Sequence, residues 1–215
     1  MTMGGAVNTL GLYRIEDVYQ AFGAHVPDTG PSKEAARTAA VAMVISEQAG
    51  LGLSALFIQR SEHPNDPWSG QMAFPGGGLE PCDKSLDAAA RRETLEEIGL
   101  ELGEDMLVGR LSDVTGGRLS VHSLSVSPFV FNHPGPMELK LNYEVADTVW
   151  VPLAYLGDPA NIRPYLFSRD PAGREFPSWQ YDGYTIWGLT YRIIANYLRL
   201  FGVEIPGEGD VTDVE

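Results

Sequence analysis

Phe74-Pro75-Gly76-Gly77-Gly78, a turn at Pro81, and Arg92-Glu93-Thr94-Leu95-Glu96-Glu97-Ile98-Gly99-Leu100 follow one another as a glycine loop leading into an uninterrupted helix-forming run, Ser85 to Ile98. Gly99 closes that run in the manner of a C-terminal glycine. At roughly 100° per residue, Glu93, Glu96 and Glu97 fall within one narrow face of the helix. Like charges at i, i+3 and i+4 oppose helix formation by roughly 0.2–0.5 kcal/mol per pair, so carboxylates kept together call for a counter-charge or a cation. Hard oxygen ligands on a rigid element suit Mg²⁺ or Mn²⁺, which keep room for water and substrate phosphate. Alone, Glu-x-x-Glu-Glu is more often a solvated acidic face, and a run of glycines is most often only a turn. Their succession changes the reading, because glycines that let the backbone approach a ligand closely stand immediately before the acidic helix.

Upstream of the loop, Ala39 to Ser46 is rich in Val, Ile and Met, and Leu53 to Gln59 in Leu, Phe and Ile. Two strands joined by a tight connection are predicted, with a helix beginning within Lys33 to Met43 as the competing assignment. Ile15, Val18, Tyr19 and Phe22 predict a short helix within Arg14 to His25, broken by Pro27, Gly30 and Pro31. Ser61 to Ser69 is a loop in which Trp68 is expected to be anchored. Downstream, Met106 to Val114, Val121 to Phe131 and Val145 to Val151 run as strands, and Ile186 to Phe201 as a core-facing helix. Strands on both sides of a central helix, without repeats or a dividing linker, predict one α/β domain. Its expected division is an N-terminal helix and loop over 1–36, the domain proper over 37–205 and a flexible acidic tail over 206–215.

The 215 residues, 44% hydrophobic and 20% charged, are in the balance of a globular protein, neither disordered nor fibrous. Twenty-nine Asp and Glu against fifteen Lys and Arg give a net charge of -14, which repels a phosphate backbone and argues against nucleic acid as a partner. The same balance serves solubility, and also suits an enzyme whose anionic substrate arrives with divalent cations. Cys82 is the single cysteine, so neither an intrachain disulfide nor a cysteine metal cage can form; a reducing cytoplasm is expected. Met1 to Leu10 lacks a basic segment followed by an apolar one, and the apolar run Ala39 to Ile45 is far below the ~20 residues of a membrane span. A soluble protein that does not associate with membranes is expected.

Together the glycine loop and the acidic helix resemble the Nudix box, whose ending is Arg-Glu-U-x-Glu-Glu-x-Gly-U with U a bulky apolar residue. The match falls on Arg92, Glu93, Glu96, Glu97, Gly99 and Leu100, with Thr94 in place of the first apolar residue. In strict register the box glycine is Gly78 and its first glutamate falls on Lys84; the neighbouring Asp83 is the usable acid in the form with one extra residue after Gly76-Gly77. That form is familiar from the coenzyme A diphosphatase branch. Gln59-Arg60-Ser61 and Gly70-Gln71-Met72-Ala73-Phe74-Pro75-Gly76-Gly77 are similar to the segment before the box in that branch. Two positions depart from it, Ile58 where threonine is expected and Asp66 where arginine is expected. Asn142-Tyr143-Glu144-Val145 and Trp150-Val151-Pro152-Leu153 look like later segments of many Nudix proteins, and Trp187 to Arg192 like the start of the branch's C-terminal helix.

The resemblance implies an α/β/α sandwich with a central mixed sheet, and metal-dependent hydrolysis of a nucleoside diphosphate linked to another moiety. Coenzyme A or a derivative is the leading substrate, and ADP-ribose or a nucleoside diphosphate sugar the alternative. Glu93, Glu96, Glu97 and Asp83 are the candidate ligands of Mg²⁺ or Mn²⁺. Arg92, expected on a different face from Glu96, is the candidate orienting partner of a carboxylate. Glu96 within the box and Glu144 outside it are the candidate general bases. Arg60 is the candidate phosphate contact, with a strand-end surface arginine as the plain alternative, and Gly76, Gly77 and Gly78 line the substrate. His25, His63, His122 and His133 are isolated and receive no metal role, and nothing around Cys82 marks a nucleophile. Trp68, Trp179, Tyr181 and Tyr184 are more often packing than stacking residues. Dimerisation is common in the family. A non-catalytic binding module and an isomerase of the same fold are the competing readings, the first opposed by the intact Glu93, Glu96 and Glu97, the second by the position of Cys82.

Overall fold

A computed structural model describes residues 14–29, 35–64, 68–116, 123–135, 137–168, 170 and 173–205. Its centre is the apolar pair anticipated from the Val- and Ile-rich stretches. β1 (Ala35–Gln48) and β2 (Gly52–Arg60) form an antiparallel hairpin whose turn uses the left-handed conformations of Gly50 and Gly52. The described part of Lys33 to Met43 is therefore strand; its β-branched residues pair along β1 where a helical start was the alternative. β7 (Ser123–Asn132) lies parallel to β1, while β8 (Val145–Pro152) and β3 (Met72–Ala73) pair antiparallel with β2, making the sheet mixed. β5 (Leu107–Arg110) and β6 (Val114–Gly116) pair with β7, and β4 (Gly76–Gly78) pairs with β1.

Alternation along the strands sorts side chains onto two apolar layers. Met43, Ile45 and Phe57 face one side, covered by α1 (Ile15–Ala24) and α4 (Gly188–Arg199). Val44, Leu56, Ile58 and Phe131 face the other, where Ala89, Ala90 and Ile98 of α2 (Leu86–Ile98) pack on them. This is the expected α/β/α sandwich. Burying both sheet faces supplies the main driving force, at roughly 25 cal/mol per Å² of apolar surface.

Helix α2 is set by local chemistry at both ends. Ser85 Oγ accepts the Ala88 N–H, and Gly99, at φ 68°, ends the helix with its N–H donating to Leu95 O. Thr94, the departure from the box pattern, is fully buried because its hydroxyl donates to Ala90 O one turn back (2.7 Å).

Two expectations fail over the C-terminal third. Ile186 belongs to a strand, and the helix starts at Gly188, because β10 (Glu175–Tyr181) and β11 (Tyr184–Trp187) form a hairpin through Asp182 and Gly183. With β9 (Ile162–Leu166) they build a second, three-stranded sheet absent from the sequence reading. Pro164 and Pro177, which stand opposite each other in that sheet, are the residues that argue against strands in a single sequence. The short helix α3 (Leu153–Leu156) links β8 to it. Asp66, His122 and the tail 206–215 lie outside the described residues, among which no helix is long and apolar enough to cross a membrane.

Candidate active site

The pairing of β4 with β1 brings the glycine loop onto the sheet: Ala40 stands opposite Gly77 and Val41 opposite Gly76, and the Ala42 N–H donates to Pro75 O (2.8 Å). At φ +153° and packed on the backbone of Ala40 and Val41, Gly76 has no room for a side chain. Its own N–H is thereby aimed at the helix and donates to Glu97 Oε2 (2.9 Å). Gly77 is open for another reason. The Glu93 carboxylate lies where a Cβ at Gly77 would be.

The three glutamates differ sharply in environment. Glu97 is 2% exposed, and burial pushes its carboxyl up to about 7; the Gly76 N–H and the positive charge of Arg60 oppose the rise, and Glu93 and Glu144 add to it. Glu93, its side chain 17% exposed, is also raised, first by burial and then by Glu96 and Glu144, against its bond to Arg92. Glu96 remains largely in solvent, its side chain 54% exposed.

Arg92 ties the box together. Its guanidinium donates through Nε and Nη2 to the two oxygens of Asp83 (3.0 Å each), through Nη2 to Gly78 O (3.1 Å) and through Nη1 to Glu93 Oε1 (2.9 Å). Its Nη1 also lies 3.4 Å from Glu96 Oε2. Arg92 and Glu96 thus share a side of the helix, as i and i+4 do, and the expectation of different faces is corrected. Asp83 is held well below the usual carboxylate range, first by Arg92 and then by the Glu80 N–H that also donates to it (2.8 Å). Both Asp83 oxygens thus accept from Arg92, and one also accepts from the Glu80 N–H.

Glu144 arrives from a distant loop. The Asn142 N–H donates to Glu97 O and the Lys140 N–H to Ile98 O (2.8 Å each), so this loop caps the C-terminal carbonyls of α2. On its other side the Ser61 N–H donates to Glu144 O (2.8 Å), next to Arg60 at the end of β2. Glu144 acts on the charge of both Glu93 and Glu97, and Arg60 on that of Glu97, although they come from three separate elements. The role of residues 140–142 was missed from sequence because it is carried by backbone groups, which leave no side-chain signature.

Among the described residues, no three His, Cys, Asp or Glu side chains are drawn together tightly enough to hold a metal ion as they stand. The acids form a looser arrangement, with burial raising Glu93 and Glu97 above the usual carboxylate range. This donor set of hard carboxylate oxygens, with a surplus of negative charge, fits Mg²⁺ or Mn²⁺.

Other candidates fall outside this arrangement. Trp179 is fully buried against Tyr191, Tyr181 packs edge-on against Tyr155, and Tyr184 donates to Asp147 (2.6 Å). His25 packs edge-on against Phe22, His133 Nδ1 lies 3.3 Å from Gly135 O, and the His63 N–H donates to Ser69 Oγ. Cys82 is an exposed free thiol.

Residues 36–169 match the NUDIX domain family. The Nudix hydrolase NudL of Escherichia coli O1:K1, itself uncharacterized, is 32% identical over 170 residues, covering 78% of this chain and 84% of that protein. An uncharacterized protein of Schizosaccharomyces pombe is 42% identical over 106 residues, 47% of this chain, and the aligned part spans 32% of that protein's length. In fold, a MutT/nudix family protein from Enterococcus faecalis aligns with 99% of this chain and 81% of that one, at TM-score 0.53 and 14% identity.

Proposed function

The chain belongs to the Nudix family, and from that membership and the site's geometry we propose that it is a Mg²⁺- or Mn²⁺-dependent hydrolase cutting the diphosphate of coenzyme A or a coenzyme A derivative. The observation that carries the reading is the glycine loop closing over the acidic helix. Gly76 directs its N–H to Glu97 while Gly77 makes room for Glu93. A divalent ion held by Glu93, Glu96 and Glu97 would neutralise the diphosphate and lower the pKa of the attacking water. Arg92, fixed by Asp83, keeps Glu93 and Glu96 turned toward that position. Arg60, which acts on Glu97 through its charge, donates to a phosphate oxygen in this reading. Glu144 takes the proton of the attacking water, with Glu96 as the alternative base.

Coenzyme A is favoured by Arg60-Ser61 and the run Gly70 to Gly77. ADP-ribose or a nucleoside diphosphate sugar is the second reading. Ile58 is buried in the apolar layer under α2 and offers no polar group, and Asp66 is acidic where the coenzyme A branch is basic.

Purified protein with Mg²⁺ or Mn²⁺ is incubated with coenzyme A, acetyl-coenzyme A, ADP-ribose, a UDP-sugar and a nucleoside triphosphate, and products are identified by mass. Release of 4′-phosphopantetheine and adenosine 3′,5′-bisphosphate supports the first reading, and preference for ADP-ribose or the UDP-sugar supports the second. No turnover of any of them returns the chain to a binding role. Glu97→Gln, which removes one ligand while keeping an acceptor for the Gly76 N–H, should lower kcat by orders of magnitude with the fold intact.

A further inference from the structure

Tyr143 is 86% exposed, against 44% for Tyr19 and 39% for Trp68, and among the described residues no other ring packs on it. An aromatic side chain left in water forgoes roughly 1.5–3 kcal/mol of burial, so its position asks for a use. Looseness of the chain does not account for it. Asn142 is bonded to Glu97 O, Glu144 O accepts from Ser61, and the Glu144 N–H donates to Asn142 Oδ1, each at 2.8 Å. The backbone of Tyr143 is therefore pinned between the helix that carries the acids and the strand end that carries Arg60. Its hydroxyl bonds the carboxylate of the next residue, Glu144, which raises the phenol above its usual range. Glu144 in turn acts on Glu93 and Glu97.

An uncovered ring, rigidly based and reaching the edge of a phosphate-handling site, suits a flat partner with a face of its own. We propose that Tyr143 is the platform on which the base of a nucleotide substrate stacks while its diphosphate lies among Glu93, Glu97, Glu144 and Arg60. The inference rests on the proposed function for its setting and adds a contact that the metal chemistry does not require. A small planar ligand is favoured over a protein partner because Asn142 and Glu144 flank the ring, Leu141, 41% exposed, is among the described residues the one other exposed large apolar side chain near it in sequence, and the chain carries -14 overall.

Stacking of a base on an aromatic residue, read by alanine substitution, corresponds to a loss of roughly 5- to 100-fold. Tyr143→Ala and Tyr143→Phe are compared with the unaltered protein by steady-state kinetics on whichever nucleotide substrate it cleaves. Binding of AMP and of ribose 5-phosphate is followed by ligand-observed NMR in the presence of Mg²⁺. Tyr143→Ala should raise KM and the Kd for AMP about 5- to 100-fold, and leave binding of ribose 5-phosphate, which has no base, unaffected. Tyr143→Phe, which keeps the ring, should keep the Kd for AMP of the unaltered protein. The idea is overturned if AMP does not bind, if Tyr143→Ala binds it as well as the unaltered protein, or if the loss appears equally for ribose 5-phosphate. It is also overturned if Tyr143→Phe reproduces the loss, since the hydroxyl would then be acting through Glu144, or if Tyr143→Ala changes the oligomeric state in light scattering. The AMP measurement reads on Tyr143 even if no diphosphate is cleaved, so failure of the stacking and failure of the hydrolase reading are distinguishable.

Discussion

In the proposed site Glu97 would link metal binding to stability, and its titration makes that link measurable in the metal-free protein. Its carboxyl sits at about 7 in the folded chain against 4.5 for an unperturbed one, chiefly because it is buried. The folded state therefore binds the proton more tightly than the unfolded state, and between those values folding takes up a proton. The resulting stabilisation is complete below pH 4.5, and is lost as pH rises through about 7. At 1.36 kcal/mol per pH unit the loss is at most about 3 kcal/mol, or roughly 6–12 °C in Tm for a chain of this size. Other groups titrate over the same range, so the useful quantity is the difference from Glu97→Gln, which cannot ionise but can still accept from Gly76. In EDTA, chemical denaturation from pH 5 to pH 8 should show the variant gaining on the unaltered protein by up to about 3 kcal/mol. Mg²⁺ should recover much of that deficit at pH 8 in the unaltered protein, and little in the variant. Parallel stability curves for the two proteins across pH 5–8 would refute the assignment of Glu97 as the buried, charge-strained member of the site.

The two loop glycines should fail in different ways. Gly76→Ala would meet the Ala40 backbone at a φ that alanine rarely adopts, and is expected to lower stability by more than about 2 kcal/mol in thermal melts; Gly77→Ala meets only the movable Glu93 carboxylate, and should keep the melt while weakening Mn²⁺ binding in a calorimetric titration. Arg92→Met and Asp83→Ala should be strongly non-additive in Mn²⁺ affinity, with a coupling energy of about 0.5–3 kcal/mol in a double-mutant cycle, because each removes the same pair of hydrogen bonds; additive losses would mean that Asp83 contributes independently. Glu144→Gln should lower kcat by orders of magnitude and remove the acidic limb of the pH–rate profile if Glu144 is the base; an unchanged profile transfers the role to Glu96.

The parts of this molecule that were readable from sequence are those specified by neighbours along the chain. The hairpin of β1 and β2 follows from apolar runs around a Gly-containing turn, and α2 from a serine cap, an unbroken helical run and a terminal glycine. A helical wheel placed Glu93, Glu96 and Glu97 together but gave all three the same standing. The glycine loop covers one edge of that face only, which is why Glu97 is buried while Glu96 remains in water. Arg92 and Glu96, four residues apart, stand only about 40° apart on the same wheel, whereas the Asp83 partner of Arg92 lies before the helix begins and outside any helical periodicity. The sheet β9–β10–β11 was hidden by prolines that occupy paired positions in it, Pro164 on the edge strand β9 and Pro177 before the stretch of β10 that pairs with β11.

Gly99 joins these levels. In the box pattern it looks like a helix terminator, and its φ of 68° fits that use, yet a Cβ there would also lie 2.9 Å from Lys140 Cβ and 3.3 Å from the Lys140 backbone. The missing side chain is what lets the 140–142 backbone come close enough to donate to Ile98 O and Glu97 O. Helix ends leave carbonyls that need partners, and here the partners come from the same loop that carries Glu144. The register of that loop is thus read from the last turn of α2, the turn that also carries Glu96 and Glu97. A base candidate far away in sequence is positioned by hydrogen bonds to the backbone of the residues it must work with, and any change that lengthens α2 by one residue would displace Glu144 from Glu97 without touching either side chain.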